Sequence, residues 1–208
     1  MFPDLTRDDV FRLETPRLWL RWPRASDAAA IARILSQDEE GAVATRLARA
    51  AEGPEAYILA ARAANAQGRA VELALTMKST QEPVGRVGAR FADGEVEVSC
   101  LVDPARRDQG YAGEAVAAVV DIVFALTYAP RLWARAAAQD AASIATLERQ
   151  GFTRTHAAGR PNGAARIVLE RAAREWVRAR RVPAMTQQGA LRRGAGAPPP
   201  PEAALAAM

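Results

Sequence analysis

"RRDQGYAGEA", residues 106–115, joins an alternating apolar run to a long apolar helix. A plain turn needs one glycine; this junction has two arginines, two glycines and two alanines. A glycine-rich turn from strand into helix leaves backbone N–H groups without helical partners, and the helix dipole adds about half a positive charge there. Small residues let an anion come close to those amides. Arg106, Arg107, Gln109, Gly110, Ala112 and Gly113 are the residue types that such a cradle requires. The stretch lacks the Gly-Lys-Ser/Thr ending of a nucleotide P-loop and is not GxGxxG. Read in isolation, the same residues also suit a turn with solvated arginines.

Outward from this junction the period of the sequence changes. Upstream, "VELALTM" (71–77), "PVGRVGARF" (83–91) and "EVEVSCLV" (95–102) predict strands, with "ADGE" as a hairpin signal between the last two. Further upstream, "RLETPRLWLRWP" (12–23) predicts one strand with Leu18, Leu20 and Trp22 on one face. Two helices follow it, one capped at Ser26 and one with Pro54 in its first turn. Downstream, "AGEAVAAVVDIVFALTYA" predicts a helix ended by Pro130, and "RLWARAAA" (131–138) a short buried strand. "DAASIATLERQGF" predicts a helix with Asp140 as N-cap and Gly151 as its stop. "FTRTH" and "ARIVLER" (165–171) predict a last hairpin. The sum is a mixed α/β fold, with a mostly antiparallel central sheet flanked by helices. An arm over 1–11, a domain over 12–171, a short basic helix over 172–181 holding Trp176, and a disordered Gly/Pro-rich tail over 182–208 complete the expected organisation.

Bulk composition narrows the function classes. The chain has 208 residues, half of them hydrophobic, which suits one domain with tails. No run is long and apolar enough for a membrane span, and the acidic start has no apolar leader, so membrane is not expected as a partner. The single cysteine, Cys100, suits a reducing cytoplasm, and with the single histidine, His156, it leaves no zinc set and no metal. The 28 basic and 24 acidic residues include one lysine, Lys78, and the arginines are spread along the chain. Nucleic acid is therefore not the expected partner, although Arg174, Arg178, Arg180 and Arg181 form a local basic cluster.

"RRDQGYA" contains Arg-x-x-Gly-x-Ala (Arg107, Gly110, Ala112), which resembles the acetyl-coenzyme A pyrophosphate loop of the GNAT N-acetyltransferase superfamily. "LETPRLWLR", "PVGRVGAR" and "DAASIATLERQGF" resemble further segments of that family in the same order, over residues 12–171. The closest branch is the Rim-type ribosomal-protein N-acetyltransferases. The resemblance implies the acyl-CoA N-acyltransferase fold, with a V-shaped split between strands 95–102 and 131–138. It implies pantetheine along that split, beside Leu101 and Val102, and pyrophosphate on amides of Arg107, Asp108, Gln109, Gly110, Tyr111 and Ala112, with Gly113 next to them. Asp140 and Ser143 would complete the coenzyme site, and a backbone N–H within 99–101 would polarise the thioester carbonyl.

Acetyl transfer to an amine needs a proton acceptor, a polarised carbonyl and a stabilised thiolate. Glu97 matches a Rim-type glutamate and is the expected base, directly or through water. Ser143 is the expected donor to the thiolate or ligand of the coenzyme. Both have plainer readings, Glu97 as part of a strand's polar face and Ser143 as a helix-start residue. Asp140 replaces the family's asparagine, Cys100 an aromatic, and Leu147 the tyrosine used as acid in other branches. Cys100 reads as a small apolar residue, His156 as a surface residue, and the four tryptophans as core or interface. The expected function is direct transfer of acetyl from acetyl-CoA to a primary amine, a protein N-terminus or small molecule. Glu95, Glu97 and Asp140 would form an acidic cleft if they face it. The alternative is a non-catalytic module binding acyl-CoA or a protein partner; a homodimer stays open.

Overall fold

The computed structural model describes residues 11–36, 53–92, 94–158 and 165–180. The expected arm, apart from Phe11, and the expected disordered tail lie outside the described residues. Eight strands form one sheet in the order β1-β2-β3-β4-β5-β6-β8-β7. They are β1 (Arg12–Glu14), β2 (Leu18–Arg21), β3 (Ala70–Met77), β4 (Pro83–Ala92), β5 (Glu95–Val102), β6 (Arg131–Ala137), β7 (Thr153–Ala158) and β8 (Arg166–Ala172). The helices are α1 (Ala28–Ser36), α2 (Pro54–Ala66), α3 (Tyr111–Leu126), α4 (Ala141–Arg149) and α5 (Ala173–Arg180). Every neighbouring pair is antiparallel except β5 and β6, so the mixed α/β expectation holds.

The single strand expected over 12–23 is two. Pro16 cannot donate to a ladder. Thr15 closes the turn, its hydroxyl accepting from the Leu18 amide at 3.0 Å. The expected inward face is nonetheless right, with Leu18, Leu20 and Trp22 all buried. Ser26 is not the cap of the first helix. It sits inside a 3-10 turn (Ala25–Asp27), where buried Asp27 accepts from the Arg24 amide at 2.8 Å and pairs with Arg21 at 2.7 Å. The long helix stops at Leu126, before the expected Ala129. Thr127 leaves the helix in an extended conformation while its hydroxyl caps the Val123 carbonyl at 2.7 Å.

α3 buries Tyr111, Ala115, Val116, Val119, Val120, Val123 and Phe124, a continuous stripe at helical spacing that fills the core with Val87, Val96 and Val98. α2 covers the opposite face of the sheet, where the Tyr57 hydroxyl lies 3.5 Å from Glu72. α5 follows β8 directly and docks on α3. The Trp176 indole donates to Asp121 at 2.7 Å and its ring lies 5.5 Å from that of Phe124.

Candidate active site

β5 and β6 run parallel but are bridged at one position, Glu97 to Trp133. Beyond it the strands splay, and residues 98–102 and 134–137 flank a cleft of about 1060 Å³. Antiparallel pairing with β4 holds β5 on one side and pairing with β8 holds β6 on the other. The split is therefore built into the sheet rather than left by a missing strand. α3 starts at its mouth, and α4 closes its far wall.

The loop into α3 begins with Asp103, whose carboxylate accepts from the Ala105 amide at 3.0 Å and pairs with Arg33 at 2.7 Å. Asp108 (φ 60°) and Gly110 (φ 81°) both take the left-handed conformation, which turns the chain sharply into the helix. The first intrahelical bond runs from the Glu114 amide to the Gly110 carbonyl, so the amides of Tyr111, Ala112 and Gly113 lie ahead of it. Arg107, Asp108 and Gly110 are exposed at this mouth and line the cleft.

Of the residues singled out from sequence, the cleft lining holds Glu97, Leu101, Val102, Arg107, Asp108, Gly110, Tyr111, Ala112, Gly113, Asp140 and Ser143. Gln109 is not among them; its carbonyl accepts from Arg17 at 2.7 Å. Arg106 reaches the rim, where it pairs with Glu82 at 3.0 Å. Asp140 caps α4 as expected, accepting from the Ser143 amide at 2.9 Å. Ser143 is exposed, and no hydrogen bond of its hydroxyl is seen among the described residues. Leu147 is buried on the cleft wall. Burial pushes the Cys100 thiol up to about 12, against the opposing pull of Arg86, which keeps it protonated and fits its reading as a small apolar residue. His156 stands in β7, paired by backbone to Val168.

Two groups of site residues were not visible in the sequence. Arg17 and Thr15 brace the loop from the far end of the chain. The Arg17 amide and guanidinium each donate to Glu114 at 2.8 Å, Thr15 donates to the same carboxylate at 2.5 Å, and the guanidinium lies 4.5 Å from the Tyr111 ring centre. Burial pushes the Glu114 carboxyl up, but these donors outweigh it and hold it below the usual carboxylate range. The second group surrounds Glu97. Its Oε1 accepts from Arg135 Nε at 3.1 Å and Nη2 at 2.6 Å, and its Oε2 accepts from Arg90 at 3.0 Å. Three of about four lone-pair sites on the carboxylate are thus taken, leaving one on Oε2. Neither arginine carried a sequence signal, because each lies on a different strand from Glu97.

Of the three acids expected to make an acidic cleft, Glu97 and Asp140 line it and Glu95 does not, pairing instead with Arg131 at 3.1 Å; Glu97 is bridged by two guanidiniums, and Asp140 accepts from the Ser143 amide through one oxygen.

A sheet split between parallel strands, with the start of a helix at the mouth of the split, is the architecture of an acyltransferase fold. The chain belongs to the GNAT acetyltransferases: the Acetyltransferase (GNAT) domain matches residues 17–153. It is accordingly an acyltransferase of a family that uses acetyl-CoA. Similar solved structures include a ribosomal-protein-S5-alanine acetyltransferase from Vibrio fischeri. That chain is 20% identical with a TM-score of 0.65, over 80% of this chain and 98% of the other. An acetyltransferase from Agrobacterium tumefaciens is 23% identical, with a TM-score of 0.64 over 78% and 95%. The microcin C7 self-immunity acetyltransferase MccE, solved with acetyl-CoA and AMP, is 15% identical with a TM-score of 0.61 over 76% and 93%. These likenesses show the fold. No curated protein sequence matches the chain.

Proposed function

We propose that the cleft binds acetyl-CoA and transfers its acetyl group directly to a primary amine. The observation that carries this is the splay of β5 and β6 past Glu97 and Trp133, opening straight onto the left-handed Gly110 and the amides of α3. Backbone groups of Leu101 and Val102 on the splayed edge of β5 are offered to the pantetheine arm. Amides from Arg107 to Ala112, with Gly113 beside them and the α3 dipole behind them, hold the pyrophosphate. MccE, of the same fold, is solved with acetyl-CoA and AMP, which supports acetyl-CoA as the ligand.

Acetyl-CoA supplies an activated thioester carbonyl. The amine attacks that carbon, the C–N bond forms, the C–S bond breaks, and the ammonium proton passes to a base. The remaining lone-pair site on Glu97 Oε2 takes that proton, directly or through water. The exposed Ser143 hydroxyl, at the start of α4, is set to donate to the departing thiolate or to the coenzyme. No covalent enzyme intermediate is needed, because the amine itself attacks the thioester.

The test is isothermal titration of acetyl-CoA and desulfo-CoA into the protein and into Gly110→Trp. Micromolar-range binding to the wild type that the variant loses, with its melting transition retained, supports the loop; no binding at millimolar coenzyme overturns the proposal. Glu97→Gln should bind the coenzyme normally and transfer acetyl at least about a hundred-fold more slowly.

A further inference from the structure

We propose that the acceptor is a small zwitterionic amine, one whose ammonium lies close to an anionic carboxylate or phosphate, and that Arg135 and Arg90 bind that anion. This rests on the acetyl-transfer reading and names the substrate class for the same site.

The face of the sheet that carries Glu97 is distinct from the one that packs on α3. Along it stand Arg86, Arg90, Glu97, Ser99, Trp133 and Arg135, since side chains two apart on a strand share a face. Arg86 is answered by buried Glu72 at 3.0 Å and also donates to the Ser99 hydroxyl at 3.1 Å. At the vertex of the split this leaves two guanidiniums around one carboxylate, while Arg131, farther along the same face, is held by Glu95 at 3.1 Å and Glu170 at 3.5 Å.

Those guanidiniums are not used up. Arg135 spends Nε and Nη2 on Glu97, and Arg90 spends Nη2. A guanidinium has five N–H donors in a fixed fork, so further donors remain on both. Their side chains keep 35% and 30% exposure, so the remaining donors are open to a ligand. Arg135 is also oriented from behind, 5.0 Å from the centre of the Trp133 ring. The Trp133 indole N–H itself is buried with no acceptor among the described residues. A donor-rich vertex of this kind takes an anion, because unanswered guanidinium N–H groups form charge-assisted hydrogen bonds to one.

The order of charges is also informative. Positive, negative and positive groups stand within hydrogen-bond distance of one another. An ammonium needs the remaining site on Glu97 Oε2 to give up its proton, and an adjacent carboxylate or phosphate needs the arginine forks. A zwitterion satisfies both at once. A polyamine, by contrast, would bring further positive charge against two guanidiniums.

The test is titration of matched ligand pairs into the protein, with and without desulfo-CoA: alanine against alaninamide, phosphoethanolamine against ethanolamine, then spermidine and a short peptide amide. The acid-bearing member of a pair should bind at least about ten-fold more tightly than its neutral partner. Arg135→Gln should bring that ratio to within about two-fold, and Arg135→Lys should restore part of it. The alanine and phosphoethanolamine arms separate carboxylate from phosphate. Equal binding within both pairs, preference for spermidine or the peptide amide, or no binding of either acid overturns the proposal. So does a ratio that Arg135→Gln leaves unchanged. The titrations without coenzyme keep the two readings apart: failure of coenzyme binding sinks acetyl transfer, whereas the acid-to-neutral ratio alone decides the acceptor class.

Discussion

Glu72 is a carboxylate that the core holds at 1% exposure, on the face of β3 covered by α2. Gly88 on β4 makes room for it, since a Cβ at that position would lie 2.6 Å from Glu72 Oε2. Arg86 donates to Oε2 at 3.0 Å, while Oε1 has no hydrogen-bond partner among the described residues. Burial pushes the Glu72 carboxyl up, against the charge and hydrogen bond of Arg86. A carboxyl raised on folding contributes stability that is complete below its unfolded value of about 4.3 and is lost as pH rises through the folded value. Glu72→Gln removes that titration, so the urea midpoint of the wild type should fall relative to Glu72→Gln as pH rises over that window. A constant difference between the two curves would contradict the assignment. Glu72→Ala is the harsher change, because it removes the acceptor oxygens and the volume facing a buried guanidinium as well as its countercharge; about 3–5 kcal/mol of destabilisation is expected in the same urea titration. Nothing in "VELALTM" distinguishes this glutamate from one on a solvated strand face. Its partner lies 14 residues away on the next strand, and only the sheet register brings them together.

At the level of elements, the junction at 106–115 is legible in sequence because its chemistry is backbone chemistry. Glycine at a left-handed position, small residues and an apolar helix behind them are all local. What stiffens the junction is not local. Thr15 and Arg17 act from the turn between β1 and β2, 99 and 97 residues away from Glu114. Reading 12–23 as one strand conceals that turn, and with it the reason for "TPR". Glu114→Gln or Arg17→Ala should loosen the loop at a cost of about 1–2 kcal/mol, since Arg17 is partly solvent-screened and Thr15 remains. The expected readout is an acetyl-CoA dissociation constant about five- to twenty-fold weaker, with the rest of the sheet intact by circular dichroism. Because Glu114 is held below the usual range, its contribution is complete above about pH 4.3 and is lost as pH falls through its lower folded value. Coenzyme affinity of the wild type should therefore decline in acid along a curve that Glu114→Gln does not follow. Unchanged affinity in both variants would remove the brace from the site.

For the whole molecule, the sheet consists of two antiparallel parts, β1–β5 and β6–β8, joined by one parallel bridge. The order of strands and helices, and the place of the split, could be read from alternation, caps and the family resemblance. The charged cluster on the face of Glu97 could not, because Arg90, Glu97 and Arg135 converge from three strands. A sheet joined this way keeps edge N–H and C=O groups along 98–102 and 134–137 that no strand partner across the split satisfies, and such groups exchange readily with solvent. A ligand that pairs with them stabilises the folded state by mass action, about 2.7 kcal/mol at a hundred times its dissociation constant. For a domain of this size that is a rise in melting temperature of about 5–10 °C. Desulfo-CoA at that ratio should give such a rise. Amide hydrogen exchange should slow at 98–102, 134–137 and 108–113, while β3 and β4, already paired on both sides, stay as they were. A rise in melting temperature with protection spread evenly over the sheet would place the coenzyme elsewhere. Protection of 108–113 without 98–102 would leave the pyrophosphate in its cradle and take the pantetheine arm out of the split.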